Sequence, residues 1–328
     1  MSTVDPELKR QAEAEASART DYEHQRIDSY RSLRCDFKCT TVEEWLNILF
    51  NSQKADCKEE KAPSQRQIRK DAGVSFWEDA FSFLSPTKKK AIAEKKEQSR
   101  VKLQNKVDEI NNFNRAQCAE ANRKLANDFV AKHNRLISGN KKEVEEYFTY
   151  CLSNDCFILD SVNRFVPDFN LVFIPVGKCL VIDYKLPLMN EIPRVKEWNV
   201  GKDNDIIPKE MNKTDYLELY ERVLFDLSMR AVGILFTSDD RNVLDKIVFN
   251  GSSVYTGWQS MPTMILSFEM SKNQYSYARA RQMDFVSKAE IAKLNNAVYL
   301  GDIHSEKPPA DLWETPPSKL VVPIKSSF

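Results

Sequence analysis

Glycine is scarce in this chain of 328 residues: there are eight, and only Gly73 precedes Gly139. A first part so poor in turn residues points to extended helices. Histidine is scarcer still, at three (His24, His133 and His304), and neither a Gly-x-Ser-x-Gly elbow nor a Walker loop occurs. Serine hydrolase chemistry and nucleotide binding by a P-loop therefore find no support. No apolar run approaches the ~20 residues needed to span a bilayer, so no membrane association is expected. The N-terminus, MSTVDPELKRQAEAEAS, has no hydrophobic signal core, and a cytoplasmic protein is expected. The seven cysteines are odd in number and contain no Cys-x2-Cys. His24, Cys35, Cys39 and Cys57 match no zinc-finger spacing, and free reduced thiols are the expectation. Net charge is absent too, with 48 Lys+Arg against 48 Asp+Glu. That excludes a uniformly basic, histone-like binder.

What is present divides near residue 140. Lys141 to Phe328 hold 22 Lys+Arg and 26 Asp+Glu, a net of −4, and by difference the first 140 residues carry +4. Residues 1–140 read as a helical, partly coiled-coil region, regulatory or oligomerising. Residues 5–34 form a polar helix of weak periodicity. In 40–50, Thr40 or Thr41 caps a helix, with Glu43 or Glu44 three positions on. Residues 52–72 are a charged connector. A long helix runs from Pro86 to about Leu136, where Leu103, Val107, Ile110, Asn114, Cys118, Ala121, Leu125 and Phe129 recur three to four apart. That stripe suits a helical hairpin or a coiled coil, and hence a homo-oligomer through the N-terminal helices.

Residues 141–328 read as an α/β domain with a mixed central sheet flanked by helices. A helix spans Glu143–Leu152. Strands follow at Phe157–Leu159, Phe165–Ile174 and Cys179–Tyr184, with Val176-Gly177-Lys178 as a turn. Residues 186–211 form a long insertion. An amphipathic helix covers Tyr216 to Ile234. A strand at Lys246–Phe249 is closed by Asn250-Gly251 as a turn, and another strand covers Thr263–Glu269.

The chemistry concentrates at Pro167-Asp168 and Asp183-Tyr184-Lys185. Asp168 opens one strand of the hairpin and Asp183 closes the other, so pairing makes them neighbours. Alternation puts Asp183 and Lys185 on one face and Ile182 and Tyr184 on the other. Two carboxylates suit Mg²⁺ (or Mn²⁺), which takes oxygen ligands and a phosphate oxygen. A nearby lysine orients water and stabilises developing charge.

Pro167-Asp168 followed by Asp183-Tyr-Lys185 after a hairpin resembles the PD-(D/E)xK nuclease superfamily, the restriction-endonuclease-like domains, over roughly residues 141–270. The resemblance implies a metal-dependent endonuclease acting on DNA, with defence against foreign DNA as a plausible setting. It implies Asp168 and Asp183 as metal ligands and Lys185 as the catalytic water-orienting residue. Members often add an acidic ligand from the first helix. Of Glu143, Glu145 and Glu146, helical geometry favours Glu145, at the border of the apolar face. Asp226 and Arg230 are the polar candidates on the second helix. RNA serves the same chemistry equally well, and a non-catalytic scaffold with a degenerate nuclease fold is the alternative. Lys88-Lys89-Lys90, Lys95 and Lys96, with Arg100, Lys102 and Lys106, could track phosphates, and Arg194, Lys196 and Trp198 could contact nucleic acid from the insertion.

Overall fold

A computed structural model describes residues 6–33, 37–80, 85–155, 157–158, 164–254, 262–280 and 298–299. The chain is mixed α/β and divides into two compact units. One comprises residues 1–45 and 133–328, the other residues 46–132. This differs from a division at 140. Helix α1 (Pro6–Arg31) buries Ala12, Ala16, Ile27 and Tyr30 within the α/β unit, so the first 45 residues belong to that unit and not to a separate helical region.

In the α/β unit, helix α6 (Lys141–Ser153) buries Val144, Tyr147, Phe148, Cys151 and Leu152 on one stripe. Strands β1 (Phe157–Ile158) and β2 (Arg164–Phe165) form a short antiparallel pair. Pro167, which has no amide to donate, stands between β2 and β3 (Phe169–Ile174), so the expected single strand over 165–174 is two. β3 returns antiparallel as β4 (Cys179–Lys185) through a turn in which Gly177 and Lys178 take positive φ. The insertion after β4 is ordered as a hairpin of β5 (Val195–Val200) and β6 (Ile206–Glu210). Helix α7 (Lys213–Ser238), capped by Asn212, then crosses to β7 (Lys246–Val254), which lies parallel to β4. β8 (Pro262–Ser271) pairs antiparallel with β7, helix α8 (Lys272–Ala280) follows, and β9 (Val298–Tyr299) adds to β8. The sheet order is β3-β4-β7-β8-β9.

Asn250-Gly251 is not a turn, because β7 continues through it to Val254 with an irregularity at Gly251/Ser252. A Cβ on Gly251 would meet Leu186 Cδ1, so this glycine serves close packing and not chain reversal.

One face of the sheet is apolar: Leu171, Phe173, Leu180, Ile182, Tyr184, Ile247, Phe249 and Phe268 are all buried. α7 is buried along most of its length, from Tyr216 to Ser238. α1 lies against β5, where Trp198 N donates to Thr20 Oγ1 at 2.8 Å, and the Arg19 guanidinium stands 5.1 Å over the Trp198 ring. A helix hydroxyl thus satisfies a strand amide. Thr41 and Glu44 make a reciprocal cap at the start of α2 (Val42–Gln53), and Trp45 packs on Tyr147 with ring centroids 5.2 Å apart. Tyr147 Oη lies 2.6 Å from Thr40 O and 2.7 Å from Ser238 O, which ties α6 to both segments.

Burial raises the Tyr147 hydroxyl pKa and pushes the Cys151 thiol from 9.0 up to about 12. In the unfolded chain that thiol ionises near 9.0, while the folded protein keeps it neutral to about 12. Its contribution is therefore whole below pH 9.0 and declines as pH climbs between these values. The urea midpoint is expected to fall above pH 9.0 more steeply than in Cys151→Ala. Equal slopes would show that the thiol is solvated.

The other unit contains α3 (Gln65–Asp71), α4 (Phe76–Ala80) and most of α5 (Pro86–Ile137), a helix of 52 residues. Phe50 meets Phe129 edge-on at 5.8 Å. Asn114 of the α5 stripe faces a connector of the same unit, where its Nδ2 donates to Lys58 O at 3.2 Å. No helix among the described residues is long and apolar enough to cross a membrane.

Candidate functional site at the open end of the hairpin

Register decides which side chains meet. Asn170 pairs with Asp183, Asp183 with Asn250, and Asn250 with Ser267. Cross-strand partners share a face, so a polar row crosses four strands on the side opposite Ile182 and Phe249, beyond the buried Cys179, Val181 and Val248 of that same side. Asp168 follows on the same face, because Lys185 N donates to Asp168 O at 2.9 Å just beyond the Phe169–Tyr184 pair. Asp168 and Asp183 are thereby diagonal neighbours, about 7–8 Å apart between Cα atoms. The site lies at the carboxyl ends of β4 and β7, parallel strands joined through α7. In open α/β sheets this end is where ligands gather.

Asp168 and Lys185 face each other, with Lys185 Nζ 3.5 Å from Asp168 Oδ2 and the side chains 56% and 73% exposed for lysine and aspartate respectively. Such an exposed pair contributes little to stability, so both groups are free to meet a ligand. Asp183 is half-buried. Its Oδ1 accepts from Asn250 Nδ2 at 2.9 Å, and Asn250 Oδ1 accepts from the buried Ser267 Oγ at 2.8 Å. Ser267 thus sets the amide of Asn250, which sets the carboxylate of Asp183. Asp183 Oδ2 takes no hydrogen bond among the described residues.

Glu145 is not brought to this site. Its Oε1 accepts the Phe173 amide at 2.8 Å, and Lys141 Nζ lies 3.8 Å away. Phe173 pairs with Leu180, three residues from the Asn170–Asp183 pair, or about 10 Å along the strand. β3 is an edge strand with outward amides to satisfy, and Glu145 satisfies one of them. The assignment of Glu145 as a metal ligand is corrected accordingly. Glu143 is engaged as well, by Arg135 Nε at 2.6 Å.

Asp226 and Arg230 lie inside the unit and not at the open end. Arg230 holds Asp155 through two bonds, at 2.7 and 2.5 Å, and Asp226 pairs with Arg222. In the insertion, Arg194 pairs with Glu210 at 3.0 Å, and the Trp198 ring is covered by Arg19. The basic run is partly neutralised within its own unit, since Lys96 pairs with Asp79, Arg100 with Glu97 and Lys102 with Asp71. A cavity of about 590 Å³ between α1, the insertion and α7, lined by His24, Arg31, Lys196 and Arg222 among others, stands apart from the polar row.

Sequence reasoning missed Asn250 and Ser267. Continuing the alternation of Lys246 and Val248 one step would have placed Asn250 beside Asp183, had Asn250-Gly251 not looked like a turn.

Among the described residues no group of three or more His, Cys, Asp or Glu side chains could enclose a metal ion. The donor set at the open end is instead two carboxylates on one face, one with an uncommitted oxygen. That fits Mg²⁺, which takes one or two carboxylates and keeps water and substrate oxygens as its other ligands. No protein-family model, curated protein or solved structure matches the chain.

Proposed function

We propose that the chain is a metal-dependent nuclease of restriction-endonuclease-like fold, cleaving phosphodiester bonds in DNA at the open end of the β3–β4 hairpin. The observation that carries this reading is the convergence of Asp168, Asp183 and Lys185 on one face of the sheet, at the carboxyl ends of the parallel strands β4 and β7. The order helix, hairpin, helix, parallel strand supports it further.

Asp168 and Asp183 would hold Mg²⁺ or Mn²⁺. The ion, when bound, offsets charge on the phosphate oxygens and acidifies water. Asn250 and Ser267 keep Asp183 in one orientation, which spares the site an ordering cost when substrate arrives. Lys185 is exposed enough to reach a phosphate or an attacking water and to stabilise negative charge developing there. Its pairing with Asp168 keeps the ammonium over the site while no substrate is present.

The test is supercoiled plasmid incubated with the full chain in Mg²⁺, Mn²⁺ or EDTA. Nicking is expected with either metal and not with EDTA. Asp183→Ala should abolish it, and Lys185→Ala should slow it by about 10²–10³-fold, the usual cost of losing one preorganised electrostatic group. Cutting at the wild-type rate by Asp183→Ala would sink the proposal, as would failure to cut any nucleic acid together with no Mn²⁺ binding by calorimetry. Metal-dependent cleavage of RNA alone would reassign the substrate.

A further inference from the structure

Between α2 and α3 the chain runs extended along α5, and α5 side chains supply the hydrogen bonds a neighbouring strand would give. Ala55 N donates to Asn122 Oδ1 at 2.9 Å, and Asn122 Nδ2 donates to Ala55 O at 3.3 Å. Glu60 makes the same two-way exchange with Asn111, at 2.7 and 3.1 Å. Between them Lys58 O accepts from Asn114, and Glu59 pairs with Arg115 at 2.6 Å. Connector numbers rise as helix numbers fall, so the two run antiparallel.

This ladder has one rung whose members are both cysteine. Position 57 lies between 55 and 58, and position 118 lies one helical turn from both 114 and 122. Cys57 is exposed and Cys118 partly so, and both are free thiols. The rungs on either side bring the two cysteines to the same stretch of the ladder, and proximity to Cys57 raises the Cys118 pKa. Asparagine is a short side chain, so the rungs it makes hold connector and helix close together, as a disulfide between short cysteine side chains requires.

We propose that Cys57 and Cys118 are a reversible redox pair, oxidised by a low-molecular-weight disulfide such as oxidised glutathione to a bond that staples the connector to α5. Cys57, the more exposed sulfur, loses its proton and attacks one sulfur of oxidised glutathione. That disulfide breaks, and one glutathione leaves as thiolate and takes up a proton. Cys118 then gives up its own proton, attacks the Cys57 sulfur and displaces the second glutathione. Two protein thiols have lost two protons and two electrons, and one oxidised glutathione has gained them to become two reduced molecules. The bond closes a loop containing α3 and α4, which restricts the unfolded chain more than the folded one.

The full chain is incubated with oxidised or reduced glutathione, alkylated, digested without reductant and examined by mass spectrometry. A Cys57–Cys118 cross-linked peptide should form, with loss of two alkylatable thiols, and dithiothreitol should reverse it. Cys118→Ser should stop at glutathione carried on Cys57, and Cys57→Ser should give no cross-link. Circular dichroism of both variants, expected to match wild type, separates loss of the partner from loss of the fold. Separate glutathione adducts on Cys57 and Cys118 of the wild type would overturn the proposal. So would bridges between chains, or two thiols that stay alkylatable under oxidation.

Discussion

A chain that starts at residue 46 is expected to lose the cooperative unfolding of the α/β unit, although the sheet, α6 and α7 are all retained. The missing residues are core. Val42 and Trp45 are each 1% exposed, and Ile27 and Leu33 are each 4% exposed. Truncating one buried tryptophan to alanine typically costs about 3–5 kcal/mol. The deletion also strips the buried Arg230 of the Leu33 carbonyl, whereas Tyr147 keeps the Ser238 carbonyl. A buried donor that loses its acceptor costs about 1–3 kcal/mol. A domain whose whole stability is about 5–15 kcal/mol does not absorb that sum. Trp45→Ala in the full chain supplies the graded version, with a loss of about 3–5 kcal/mol in urea unfolding. If residues 46–328 melt with the midpoint and slope of the full chain, then residues 6–45 are an appendage and the division drawn here is wrong.

That division shows where the sequence was hard to read. Composition changes near residue 140, but α1 joins the α/β unit through Ala12 and Ala16, small residues that recur throughout the polar helix and mark no stripe. Thr20 does its work on the Trp198 backbone, which no periodicity records. The β3–β4 hairpin was legible because two short runs rich in β-branched and apolar residues flank a glycine turn. The face shared by Asp183 and Lys185 followed from alternation alone. Glu145 lay beyond such reasoning. Helical phase puts it near the sheet, but only the position of β3 at the sheet edge decides that it meets an amide. Asn114 looked like a flaw in an apolar stripe and is instead a rung of the connector ladder, where its amide satisfies an extended backbone. Local patterns therefore gave element type and facing, and long-range pairing gave the rest.

The buried pair of Asp155 and Arg230 carries the second large effect, since replacing Asp155 by alanine is expected to cost about 3–5 kcal/mol. Both side chains are 5% exposed, and two bonds join them. Arg230 also donates to Leu33 O and lies 5.8 Å from the Phe37 ring centroid. Alanine would take the Asp155 carboxylate and both of its bonds from a buried guanidinium, which is worse than having no such pair at all. The double variant Asp155→Leu/Arg230→Met removes both charges and should recover most of the loss, because apolar replacements of buried ion pairs are often neutral. It should not recover all of it, since Leu33 O also loses a donor. Urea unfolding of the two variants separates these contributions, and a loss of under about 0.5 kcal/mol in Asp155→Ala would mean the pair is solvated. The consequence reaches the candidate site. Tyr184, whose hydroxyl pKa burial raises with a further contribution from Asp155, sits on the core side of β4 between Asp183 and Lys185. A guanidinium that has lost Asp155 beside it would loosen the strand that carries both site residues, so Asp155→Ala should lose metal-dependent cleavage at urea concentrations where the wild type still cuts.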